Sequence, residues 1–124
     1  GGKALDQFSR TLAVAEAWEA EERNLWIDRN NITISSIIKT RTKIWESFRD
    51  LGVLAPDEEA ELEREIQGIV KLWTLLNFLL IKFKRKPEDS SLVASMRQKL
   101  IEIKRTELRF LQRIHLLGGA RCEV

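Results

Sequence analysis

Residues 62–86 read LEREIQGIVKLWTLLNFLLIKFKRK. Leu62, Ile66, Ile69, Trp73, Leu76, Leu80 and Phe83 recur at alternating steps of four and three, the spacing of one helix face. From Val70 onward a second set joins them: Leu72, Leu75, Phe78, Leu79 and Ile81. The helix starts amphipathic, becomes apolar nearly all round, and stops in a basic cluster before Pro87. A helix apolar on every side needs covering on every side. The stretch therefore marks the centre of an all-helical fold.

Working outward, Pro56 followed by Asp57-Glu58-Glu59 is a start signal: proline suits the first turn, and acids favour the positive end of the helix dipole. Lys82, Lys84, Arg85 and Lys86 suit the negative end. Pro87-Glu88-Asp89-Ser90-Ser91 repeats the start signal. A further helix is predicted from about 88 to 117, with a seam of Val93, Met96, Leu100, Ile103, Phe110, Ile114 and Leu117, closed by Gly118-Gly119.

Two helices are predicted upstream. The first spans about 5–29, with Leu5, Phe8, Leu12, Ala15, Trp18, Leu25 and Trp26 on one side. Asn30-Asn31 is expected to break it, since asparagine favours turns over helix interiors. The second spans about 33–51, with Ile34, Ile37, Ile38, Ile44, Trp45, Phe48 and Leu51 inward and Gly52 at its end. Its β-branched opening, Ile32-Thr33-Ile34, admits a short strand as the alternative. The expected fold is an antiparallel four-helix bundle with long third and fourth helices.

A chain of 124 residues fits one domain, and 44% hydrophobic with 32% charged residues is a globular mixture. Residues 1–4 are read as an added leader or fragment edge with a disordered start, and 118–124 as a flexible tail. The lone Cys122 permits no internal disulfide, which points to an intracellular setting, cytoplasmic or nuclear. Ile69 to Ile81 falls short of the ~20 apolar residues of a spanning helix and contains Lys71 and Asn77. Six acids between Asp57 and Glu65 would be repelled by an anionic lipid surface. Membrane association is therefore not expected.

No catalytic constellation emerges. A di-iron bundle needs two Glu-x-x-His pairs, whereas the single histidine, His115, has Gln112 three residues before it. One His and one Cys cannot build a zinc site without several carboxylates. Phosphate-cradling glycine loops and the nucleophile-elbow motif are absent from the sequence. The expectation is a non-enzyme without metal, cofactor or small-molecule substrate.

The candidate chemistry is that of contact. Leu72, Leu75, Phe78 and Leu79, with Ile101, Leu108 and Leu111, form second apolar lines that one bundle face does not require. They are the candidate protein interface, for a partner helix, a coiled-coil-like contact or a second copy. Glu22, Arg41 and Glu107 fall on the apolar stripes and are expected to pair, because an unpaired charge there is costly. The rival to protein assembly is nucleic-acid binding. Lys82, Lys84, Arg85 and Lys86 could join Arg97, Lys104, Arg105, Arg109 and Arg113 in one basic strip that contacts phosphates without reading sequence. Lys39, Lys43 and Arg49 form a smaller basic cluster with Arg41. Net charge is only +2, so bulk electrostatics do not require a polyanion.

Overall fold

The computed structural model describes residues 2–15 and 18–122, the side chains of 118–122 excepted. Four helices make up the fold: α1 (Gly2–Ala15), α2 (Ala20–Arg49), α3 (Pro56–Arg85) and α4 (Ser90–Cys122). No strand occurs among the described residues, so Ile32-Thr33-Ile34 is helical.

The seven positions that decided the reading of α3 are its seven buried residues. They pack between α2 on one flank and α4 on the other, and α1 rests against α4. Trp45 near the end of α2 donates to Glu63 near the start of α3, while Asp28 near the start of α2 meets Lys84 near the end of α3 at 2.8 Å. Phe83, Leu62, Ile69, Leu76 and Leu80 are wholly enclosed with Met96 and Ile103 of α4 and Ile27 of α2. Burying each such side chain contributes roughly 1.5–3 kcal/mol of hydrophobic free energy.

Local chemistry sets the joints. The backbone N–H of Ala55 donates to the Glu58 carboxylate at 3.0 Å, Pro56 occupies the first turn, and α3 begins as predicted. The α2–α3 turn uses the positive φ of Gly52, +69°, which only glycine adopts without strain. Asp89 accepts from the backbone N–H of Ser91 at 3.0 Å at the mouth of α4.

The first break differs from expectation. Helix α2 runs straight through Asn30-Asn31, and the chain turns instead between Ala15 and Ala20. Asn30 turns its amide back onto the Trp26 carbonyl at 2.8 Å, so its side chain serves the helix. Ile27 and Ile34, seven residues apart on either side of the pair, are both buried and draw the segment onto the core. At the true break, Trp18 folds back edge-on against Trp26 with ring centroids 6.0 Å apart, and Arg23 donates to its carbonyl at 3.2 Å. This turn lets α1 lie back on the bundle, where Phe8 meets Trp26 at 5.2 Å.

Other expectations are corrected with it. Leu25, Ile44 and Leu51, placed in the core by periodicity, are exposed. Gly2 to Ala4 belong to α1, and α4 passes through Gly118-Gly119 to Cys122. Glycine costs a helix about 1 kcal/mol but does not forbid it. The expected tail thus belongs to α4 as far as 122, and 123–124 lie outside the described residues.

Candidate interaction surfaces

The one charged residue buried among the described side chains is Glu107, on the core face of α4. Arg41 from α2 grips it with two nitrogens: Nε donates to Oε2 at 2.7 Å and Nη2 to Oε1 at 3.1 Å. The Trp73 indole of α3 donates to Oε2 at 3.1 Å. One carboxylate therefore ties three helices together. Of the three charges expected on apolar stripes, two meet; Glu22 is exposed and takes no part, lying in the first turn of α2 just after the non-helical Trp18 and Glu19.

The apolar candidates divide. Leu72 and Leu79 are partly buried and pack against the core. Leu75 and Phe78 are exposed, together with Ile81, so α3 is not covered on every side as its composition implied. On α4, Ile101, Leu108 and Leu111 are all exposed. The exposed candidates thus stand on both α3 and α4.

The basic candidates divide as well. Arg113 is engaged by Glu65 and, at 3.5 Å, by Glu61, both on α3. Lys84 pairs with Asp28 at 2.8 Å and Lys104 with Asp6 of α1 at 3.3 Å. The Lys82 ammonium lies 5.3 Å from the centroid of the Phe78 ring. Arg85, Lys86, Arg97, Arg105 and Arg109 are exposed, and among the described residues no carboxylate is within ion-pair distance of them. The cluster at 82–86 adjoins the start of α4, whereas Arg113 lies further along α4 against Glu61 and Glu65 of α3.

No protein family, curated protein or solved structure matches the chain. Any function rests on its own surfaces.

Among the described residues no group of three His, Cys, Asp or Glu side chains could hold a metal ion, and His115 is exposed. A cleft of 230 Å³ between α2 and α3, missed in the sequence, is lined by Trp45, Glu46, Arg49, Glu63 and Ile66 among others. It is smaller than ligand pockets usually are. Only the pairing of Trp45 with Glu63 across the turn could have signalled it.

The full α3 helix, at 30 residues, is longer than the apolar run inside it, and by length and composition alone it could cross a membrane. A third of the relevant window, 33%, is buried inside the fold.

Proposed function

We propose that the chain is a non-enzymatic assembly or adaptor module, an antiparallel four-helix bundle that works through helix faces its own core leaves open. The pairs Trp45–Glu63 and Asp28–Lys84, at opposite ends of α2 and α3, support the antiparallel arrangement. The observation that carries the function is the exposure of Leu75 and Phe78, side by side on a helix whose other face is fully buried. Scattered apolar residues on a surface mean little, but a contiguous line on the central helix marks a contact surface.

Light scattering across protein concentration and at two salt concentrations tests it. The expected result is a mass above the 14.4 kDa monomer that returns to monomer on Phe78→Glu. A strict monomer at the highest concentration removes the self-assembly reading.

The second reading is nucleic-acid binding, favoured by Arg97, Arg105 and Arg109, which are exposed and have no ion-pair partner among the described residues. It would be a backbone contact, with affinity falling steeply with salt. Fluorescent single strand and duplex titrated over a salt series decide it; no binding at low salt removes the reading.

A further inference from the structure

Helix α3 carries a second stripe besides its buried one. Lys71, Leu75, Phe78, Lys82 and Arg85 follow one another at steps of four and three, which keeps them on one side of the helix. All five are exposed, on the side away from the seven buried residues. At 1.5 Å per residue the stripe is about 21 Å long, apolar in the middle and basic at both ends. The chain has no acid between Glu65 and Glu88, so no carboxylate of that segment offsets these cations. None of Lys71, Lys82 and Arg85 has an ion-pair partner among the described residues. The Lys82 ammonium lies 5.3 Å from the centroid of Phe78, so ring and charge form one feature.

Two copies of this stripe do not suit each other. Laid antiparallel with their apolar middles in register, Lys71 of one copy meets Lys82 of the other. Laid parallel, every cation meets its own counterpart. Like charges brought together in an interface are costly, so the counter-surface is an acidic one.

Such a surface stands at the start of α2. A cleft of 250 Å³ is lined there by Trp18, Glu22, Leu25, Trp26 and Arg29. Trp18 and Trp26 brace each other edge-on at 6.0 Å, which gives the hollow an aromatic wall. Glu19, Glu21 and Glu22 are exposed at this end, and none has an ion-pair partner among the described residues. Arg29 is the one cation in the lining, two turns further along the helix. That polarity sets a direction. With α3 of one copy antiparallel to α2 of the next, Lys82 and Arg85 come over the acidic start while Phe78 reaches Leu25 and Trp26. The four residues back from Lys82 to Phe78 match the four on from Glu22 to Trp26, about 6 Å in each case.

We infer that Phe78 of one copy enters the Trp18–Leu25–Trp26 cleft of a second copy, with Lys82 and Arg85 over Glu19, Glu21 and Glu22. The contact joins unlike faces, a stripe on one molecule and a cleft on the next. This rests on the assembly reading above and supplies the counter-surface for its exposed α3 line.

The test uses the full chain. Light scattering of the parent is expected to show a mass that rises with concentration above the 14.4 kDa monomer. Phe78→Ser, which disables the stripe, and Glu22→Lys with Leu25→Ser, which disables the cleft, should each stay monomeric at the same concentration. Mixed one to one, the two variants should form a heterodimer that grows no further, since each retains the face that the other lacks. Lys82→Gln with Arg85→Gln should weaken association roughly tenfold and flatten its salt dependence. Far-UV circular dichroism of each variant confirms that the helices persist. The inference is overturned if the mixed variants stay monomeric. It also falls, with the assembly reading left standing, if the cleft variant assembles as the parent does while Phe78→Ser does not. If Phe78→Ser assembles as the parent does, both fall. A parent that stays monomeric overturns it as well, and binding of that monomer through Phe78 to vesicles of anionic phospholipid would assign the stripe to lipid.

Discussion

The guanidinium of Arg41 embraces the carboxylate of Glu107 across the α2–α4 contact, with both partners mostly shielded from water, 14% and 7% of their side chains exposed. Desolvating two charges is expensive, and the bidentate geometry with the Trp73 donor is what offsets that cost. Removing one partner is accordingly worse than removing both. Arg41→Met should destabilise by about 3–5 kcal/mol, because it strands the buried carboxylate. Glu107→Gln should cost less, since its amide oxygen still accepts from Trp73. Urea unfolding of the two single variants and the double should give a coupling energy of at least ~1 kcal/mol. Additive effects would mean that the pair does not act as a unit. Glu22→Gln, far from this pair, should change stability by less than about 0.5 kcal/mol and couple to neither residue.

Glycine gives two predictions of opposite sign. Gly52 stands at φ +69°, so Gly52→Ala should destabilise by about 1–2 kcal/mol through backbone strain, although a Cβ there would touch nothing within 4 Å. Gly68 is inside α3 and its added Cβ would also meet nothing within 4 Å, so Gly68→Ala should stabilise by about 0.5–1 kcal/mol. Melting temperatures of both variants check the pair; a common sign would contradict the turn geometry.

Two positions of α3 separated by a single residue should respond very differently to truncation. Leu76 is fully enclosed, and Leu76→Ala should cost about 2–5 kcal/mol. Phe78 is 58% exposed, and Phe78→Ser should shift monomer stability by no more than about 0.5 kcal/mol, whatever it does to assembly. Chemical denaturation at low protein concentration separates the two effects. A large loss at Phe78 in the monomer would mean that it belongs to the core.

The heptad-like spacing from Leu62 to Phe83 was fully legible because burial on two flanks imposes one period on one face. That Arg41 needs one of the two glutamates, Glu22 or Glu107, was legible because a charge on an apolar stripe needs a partner; which of them it meets was not. The break at Trp18-Glu19 was not, because Trp and Glu both suit a helix and Trp18 there folds onto Trp26, a contact between residues eight apart. Glu21 and Glu22 in the first turn of α2 were the available signal, an acidic helix start like that of α3. Leu25, Ile44 and Leu51, at the edge of the predicted face, are the exposed exceptions, whereas Ile34 and Trp45 are buried and Ile37, Ile38 and Phe48 pack on the core as their spacing implied. Asparagine misled in turn, since Asn30-Asn31 carries turn propensity that packing of Ile27 and Ile34 overrides.

Continuity of α2 through that pair can be tested directly. Asn30→Pro should cost about 3 kcal/mol or more, because proline removes a helical N–H and collides with the preceding turn. Were 30–31 a loop, the same change would be tolerated. Loss of helical signal and a lower urea midpoint are the expected readouts.

The start of α4 makes stability depend on pH. The hydroxyl and backbone N–H of Ser91 both donate to Asp89 and, with Lys86 nearby, hold its carboxyl below the usual carboxylate range. A carboxyl depressed in the folded state contributes stability that is complete above its unfolded pKa of about 4. That contribution is lost as pH falls through the lower, folded value. Asp89→Ala should therefore lower the melting temperature at pH 7, and the gap from the parent should close as pH drops below about 4. Asp89→Asn, which keeps an accepting oxygen at the cap without a titrating proton, should retain most of the stability at pH 7 and narrow the acid-dependent difference. A gap between parent and alanine variant that stays constant from pH 7 down to pH 2 would show that the cap acts through shape alone and not through the ionised carboxylate.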